Sequence, residues 1–127
     1  MTSYQVLHDP DAVVDLPLDR EPHQLLVRAV LAVTDPEGLA PDDWAQIGLQ
    51  LTGHARAVAH DVERLAKQLP PYDPRRVLAE DVLRQAARRL GAPLRGTLRC
   101  TQGRARIVRE LYVRLDRLNA PRPVPRP

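Results

Sequence analysis

Apolar residues recur at alternating intervals of four and three positions along two long stretches of this chain. The first stretch follows Pro41, which suits the first turn of a helix, and it stops at Pro70-Pro71. Its apolar positions are Trp44, Gly48, Leu51, Ala55, Val58, Val62, Leu65 and Leu69. The second stretch has the apolar positions Leu94, Leu98, Thr101, Ala105, Val108, Tyr112 and Leu115. Each pattern predicts a long helix with one continuous apolar seam.

Two shorter segments show helical periodicity as well. One covers about residues 22–34 and ends where Asp35-Pro36 interrupts the pattern. The other has Asp73 as its expected N-cap and Pro74 at its first position, and it ends at Gly91. The chain therefore contains four predicted helices, the second and fourth of which are the longest.

The connections between the predicted helices are short, and short connections favour antiparallel neighbours. We therefore expect an all-α fold, an antiparallel bundle of about four helices, over residues 22–119. Residues 1–21 carry repeated Asp and Pro without a sustained period, so we expect an extended acidic arm there. In residues 120–127 proline alternates with other residues, which predicts a disordered Pro/Arg tail.

Composition narrows the possible environments of the protein. The chain of 127 residues has no Phe and one Trp, so its core must be built from aliphatic side chains on helices. A single cysteine cannot form an internal disulfide. The N-terminal residues lack the basic and apolar regions of a signal peptide, and no stretch has the length of a membrane span. We therefore expect a cytoplasmic protein that does not contact a membrane.

Charge is distributed unevenly along the chain. Residues 1–43 contain nine acidic residues and two arginines, whereas residues 44–127 contain seventeen basic residues and seven acidic ones. The net charge of +3 hides this division. It predicts either a basic surface kept for a partner or an acidic arm that covers a basic body.

The third and fourth predicted helices carry most of the positive charge, and they form the candidate partner surface. Its residues are Arg84, Arg88, Arg89, Arg95, Arg99, Arg106 and Arg109. Arginines on a helix face can neutralise phosphates, and residues 84–99 resemble a helix-turn-helix in their small residues, central glycine and basic second half. The alternative is that these arginines form the solvated outer face of the bundle, or face an acidic partner.

The positions of the histidines and the cysteine do not suit a metal site or a catalytic group. His54 and His60 are six residues apart, so their rings project from different sides of a helix and do not suit a shared metal ion. His54 and Asp61 are seven apart and share a side, which leaves a His–Asp pair as an alternative. Cys100 falls beside the apolar seam, where small buried cysteines are common. We therefore predict no catalytic residue, no metal site and no cofactor.

Residues 44–118 resemble a family of small actinobacterial proteins of unknown function that are encoded near natural-product gene clusters. The resemblance is carried by the long second helix, by a small and basic block in the third helix, and by a basic last helix with paired aliphatic residues. These segments are residues 49–66, 86–90 and 103–111. The resemblance implies an all-helical domain and an association with secondary metabolism. It implies no activity and no catalytic residue.

The functional prediction is a non-enzymatic helical adaptor or regulatory protein that acts through protein–protein contacts. Seams as long as those of the second and fourth helices can exceed what their neighbours cover, which favours a protein partner or a homodimer. One alternative is a regulator that binds nucleic acid through the Arg-rich third and fourth helices. Another is a metal-binding or enzymatic accessory protein that uses His54 and Asp61.

Overall fold

A computed structural model describes residues 20–120, which fold into four α-helices without a strand. They are α1 Arg20–Ala32, α2 Pro41–Ala66, α3 Pro74–Leu90 and α4 Leu98–Asn119. This confirms the all-α fold of about four helices. α1 begins at Arg20, so two residues assigned to the predicted arm are helical. The rest of that arm and most of the predicted tail lie outside the described residues.

The helix ends follow from local capping chemistry. The Asp73 side chain accepts a hydrogen bond from the Arg75 amide, with Pro74 at the first helical position, so α3 begins where the sequence predicts. Thr97 plays the same role for α4, because its hydroxyl accepts from the Cys100 amide. The predicted start of this helix near Leu94 is wrong, and residues 91–97 form a connection.

Leu94 explains that error. It continues the apolar period of α4, but it lies in the α3–α4 connection, where its side chain packs against Gly48 of α2. A hydrophobic residue in a connection therefore extended the pattern of the helix that follows. The opposite end of α2 differs too, because the helix ends at Ala66 and Leu69 lies in the turn beyond it.

α2 and α4 form the centre of the bundle and run in the same direction. The Thr101 hydroxyl donates to the Trp44 carbonyl near the start of both helices, at 2.8 Å. Farther along, the Tyr112 hydroxyl meets His54. α1 packs mainly on α4, α3 packs on both central helices, and sequential helices are antiparallel.

The core is aliphatic and lies between the two seams. Leu51 and Val62 of α2 belong to one core cluster with Val108 and Leu111 of α4, and all four side chains are fully buried. The two seams therefore cover each other. The expectation that they leave an apolar strip for another chain is wrong, because the strip is filled within the bundle. Among residues 20–120, no helix is both long and apolar enough to cross a bilayer.

Candidate functional site: an arginine face and a histidine–tyrosine cluster

The seven arginines predicted as a partner surface are all exposed, but they do not share one face. Arg84 and Arg88 are one turn apart on the side of α3 that points away from the core residue Ala86. Arg89 lies on the side of α3 nearest α4, where it forms an ion pair with Glu110 at 3.5 Å. Arg95 lies in the α3–α4 connection, so the structure divides the predicted surface among α3, this connection and α4.

Two of the seven arginines form ion pairs within the described part of the chain, and the other five do not. Arg84 pairs with Asp81 at 3.4 Å and Arg89 with Glu110, and such exposed pairs contribute less than about 1 kcal/mol. Within residues 20–120, the remaining five form no ion pair and no side-chain hydrogen bond. They are Arg88, Arg95, Arg99, Arg106 and Arg109.

Three of the five lie together on α4. Arg99, Arg106 and Arg109 fall within about 80° of one another around the helix axis, on the side opposite the core. Arg117, which is outside the predicted set, extends the same side and is likewise exposed and unpaired within the described part of the chain. We call Arg99, Arg106, Arg109 and Arg117 the α4 arginine face.

Arg104 belongs to the core rather than to a surface. Its side chain is 4% exposed, and its guanidinium donates to the carbonyls of Arg89 at 2.8 Å and Ala92 at 2.7 Å. Arg56 of α2 donates to the Leu90 carbonyl at 3.2 Å. Two arginines therefore donate to carbonyls at the C-terminus of α3 and just beyond it, where the helix dipole also favours positive charge.

The connection between α3 and α4 does not have helix-turn-helix geometry. Residues 91–97 make it seven residues long, whereas the turn of that motif has about three or four. α4 then continues for 22 residues with one side in the core, so it is not a short recognition helix. The resemblance over residues 84–99 therefore reflects composition rather than structure.

A polar cluster joins the start of α1 to both central helices. The rings of His23 and His54 are stacked, with centroids 3.7 Å apart and planes 2° from parallel. Nε2 of His54 forms a hydrogen bond with the Tyr112 hydroxyl. The Arg20 guanidinium lies 4.3 Å from the centroid of the Tyr112 ring and donates to Asp116 at 2.7 Å. We call these five residues the histidine–tyrosine cluster.

This cluster connects the start of α1 to α2 and α4. The hydrogen bond to Asp116 raises the pKa of Arg20 above its usual range, more than partial burial lowers it. Because the raised pKa of Arg20 stabilises the fold below that value, the guanidinium stays charged at neutral pH, and its stabilising contribution is lost as the pH rises into strong alkali. Sequence reasoning missed the cluster because its members come from three helices.

The other candidate side chains have structural contacts. Asp61, the predicted partner of His54, forms an ion pair with Arg64 at 3.5 Å. The half-buried Cys100 sulfur accepts from the Arg95 amide at 3.3 Å. In the described part of the chain, no three His, Cys, Asp or Glu side chains converge as metal ligands.

An open groove of about 310 Å³ runs between α1 and α4 beside this cluster. Its floor is aliphatic, and one arginine from each helix lines it. The lining residues are Gln24, Val27, Arg28, Val108, Arg109, Tyr112, Val113 and Asp116. Arg109 therefore belongs both to this α1–α4 groove and to the α4 arginine face. Arg28 forms no ion pair or side-chain hydrogen bond within residues 20–120.

Residues 24–120 match the model of a protein family of unknown function, DUF6415. The chain belongs to this family. The DUF6415 match extends from α1 to the end of α4, so it covers the whole central pair. It does not include residues 1–23, which contain two members of the histidine–tyrosine cluster. Neither the curated proteins nor the solved structures contain a match to the chain.

Replacing Tyr112 by phenylalanine should lower the free energy of unfolding by about 1 kcal/mol, because it removes the hydroxyl that His54 binds. Urea denaturation measures the change. Tyr72→Phe is the matched control, since Tyr72 is 90% exposed, and its effect should stay below about 0.5 kcal/mol. Equal effects of the two substitutions would show that the hydroxyl of Tyr112 does not stabilise the bundle.

Proposed function

We propose that this DUF6415 protein is a non-enzymatic helical adaptor that binds an acidic segment of a partner protein along the α4 arginine face. The observation that carries the proposal is the set of four exposed arginines on one side of α4, unpaired among residues 20–120. Guanidinium groups bind carboxylates through two parallel hydrogen bonds. A partner carboxylate therefore gains these bonds without breaking an existing ion pair.

The neighbouring apolar surface favours a protein partner over nucleic acid. Val113 is 41% exposed among the arginines, and it also lines the α1–α4 groove. An amphipathic acidic helix offers both carboxylates and aliphatic side chains to such a surface. Proteins that bind single-stranded nucleic acid use aromatic side chains for base stacking, and the outward side of α4 has none.

The same charge argues against a homodimer through this face. Two copies of the α4 arginine face would bring like charges together and repel each other. We therefore propose a different protein as the partner rather than a second copy. We further propose that this partner acts in secondary metabolism, as the resemblance of residues 44–118 implies. Metabolite profiles of a strain that lacks the gene test this proposal.

Fluorescence anisotropy with two labelled probes tests the proposed function. The probes are a synthetic amphipathic peptide of Glu and Leu, and a DNA duplex of the same net charge. We expect the peptide to bind more tightly. Arg106→Gln/Arg109→Gln should weaken peptide binding about tenfold, since each exposed arginine contributes a charge-assisted contact. Tighter binding of the duplex would favour the nucleic-acid alternative.

The matched control is Arg84→Gln/Arg88→Gln, which removes two positive charges from the outward side of α3 instead. It changes net charge equally but leaves the α4 arginine face intact. Peptide affinity should change less than about twofold in this variant. Salt screens the interaction between the peptide and exposed charges that lie more than a Debye length away from it. If both double variants weaken binding alike, only net charge matters and the proposed face is wrong.

A further inference from the structure

The residues that precede α1 have the composition expected of a ligand for the α1–α4 groove. Residues 9–19 contain four carboxylates and four larger aliphatic side chains. They are Asp9, Asp11, Asp15 and Asp19, with Val13, Val14, Leu16 and Leu18. This is the combination of acidic and apolar groups that the proposed partner segment also needs. The DUF6415 match does not include these residues.

The chain enters the bundle at the edge of the same groove. Arg20, the residue that follows this segment, donates to Asp116, and Asp116 lines the α1–α4 groove. The start of α1 is thereby fixed at that end of the groove by the histidine–tyrosine cluster. Arg28 lies eight residues into the helix, about 12 Å along its axis. An extended segment of eleven residues reaches about 35 Å, so residues 9–19 span this distance easily.

The charges on the two sides are complementary. Arg28 on α1 and Arg109 on α4 line the groove, and neither forms an ion pair within residues 20–120. Asp116 is the carboxylate that lines the groove, and Arg20 already neutralises it. Val113, which is 41% exposed, offers valine or leucine side chains an aliphatic contact, and Val27 lies buried beside it at 4% exposure. Because the segment is tethered, its high effective concentration favours docking even when each contact is weak.

We infer that residues 9–19 dock in the α1–α4 groove of their own chain, with carboxylates on Arg28 and Arg109 and aliphatic side chains on the exposed Val113. Arg109 also belongs to the α4 arginine face. The docked segment therefore competes with an acidic partner, and this consequence rests on the proposed function. The docking itself does not depend on the existence of such a partner.

Methyl NMR of the full chain tests the docking. In Asp11→Asn/Asp15→Asn, the methyl signals of Val27 and Val113 should shift, and their dependence on salt between about 50 and 500 mM NaCl should disappear. Asp42→Asn/Asp43→Asn is the matched control, since it removes two exposed carboxylates from the first turn of α2. The control should leave both signals unchanged. If the Asp11/Asp15 variant also leaves them unchanged, residues 9–19 do not dock in this groove.

A charge exchange and a competition measurement complete the test. Arg28→Asp/Arg109→Asp should shift the same methyl signals, and adding Asp11→Arg/Asp15→Arg should move them back.

In Asp11→Asn/Asp15→Asn, affinity for the Glu/Leu peptide should rise about fivefold, because residues 9–19 then bind the groove more weakly and compete less with the peptide. Unchanged affinity together with shifted methyl signals would overturn the competition and keep the docking. Absence of peptide binding in every variant would overturn the proposed function alone.

Discussion

Replacing Arg104 by alanine should lower the free energy of unfolding by about 3 kcal/mol, more than for any other arginine. Its guanidinium supplies the donors for the carbonyls of Arg89 and Ala92, and the side chain is 4% exposed. Truncation removes the donor of the Ala92 carbonyl, whereas the Arg89 carbonyl keeps the Ala92 amide. Hydrogen bonds from a charged group each contribute about 1.5–3 kcal/mol. Truncation also removes the aliphatic stem of the side chain from the packing between α3 and α4. Urea denaturation measures the loss.

Arg106→Ala is the control for this prediction. The two arginines are two residues apart on the same helix, and both substitutions remove one positive charge and install the same good helix former. Arg106 is exposed and unpaired among the described residues, so its replacement should change stability by less than about 0.5 kcal/mol. Comparable losses in the two variants would mean that the carbonyl contacts of Arg104 do not stabilise α3.

The contrast between these two arginines shows what the sequence could not reveal. Both lie in a basic segment, and composition alone treats them as one outward face. The two arginines differ because a step of two residues places them on opposite sides of α4. Arg104 points toward the C-terminal end of α3, where two carbonyls accept its hydrogen bonds. A periodic pattern of apolar residues identifies the core side of a helix, but it does not identify a buried polar side chain that binds backbone carbonyls at the end of another helix.

The helices themselves were largely predictable because their ends carry local signals. Asp73 followed by Pro74 fixes the start of α3, and Pro41 with two following aspartates fixes the start of α2. The seams of α2 and α4 were also correct over their buried parts. The start of α4 was missed because Leu94 packs on α2 from a connection and continues the apolar period.

The histidine–tyrosine cluster lay beyond sequence reasoning for a different reason. His23 and His54 are 31 residues apart, and Tyr112 follows 58 residues after His54. Only the packing of α1 across the central pair brings these side chains together. Pairing His54 with Asp61 followed from their spacing on one helix, whereas the bundle supplies partners for His54 from two other helices.

The packing of the four helices also determines which arginines are left exposed and able to bind a partner. Arg104 is used within the core, Arg20 within the cluster, and Arg89 in an ion pair with Glu110. A count of basic residues therefore overstates the surface that can bind a partner. The arginines left without a partner among residues 20–120 concentrate on the outward side of α4, next to the groove that we assign to residues 9–19.

Two glycine substitutions should change stability in opposite directions, although each adds one methyl group. A Cβ at Gly96 would lie 2.5 Å from the Pro41 carbonyl oxygen. This oxygen belongs to the backbone, so no side-chain rotation can relieve the clash. Gly96→Ala should therefore cost about 2 kcal/mol, as overpacking typically does. At Gly103, within α4, a Cβ would meet no atom within 4 Å.

Gly103→Ala should accordingly stabilise the protein by up to about 1 kcal/mol, because alanine is the better helix former and the space is open. Thermal unfolding of the two variants measures both signs in one experiment. The contact at Gly96 joins the start of α4 to the start of α2, so Gly96→Ala should also move Leu94 away from Gly48. If Gly96→Ala is neutral or stabilising, the α3–α4 connection does not lie as close to α2 as the structure places it.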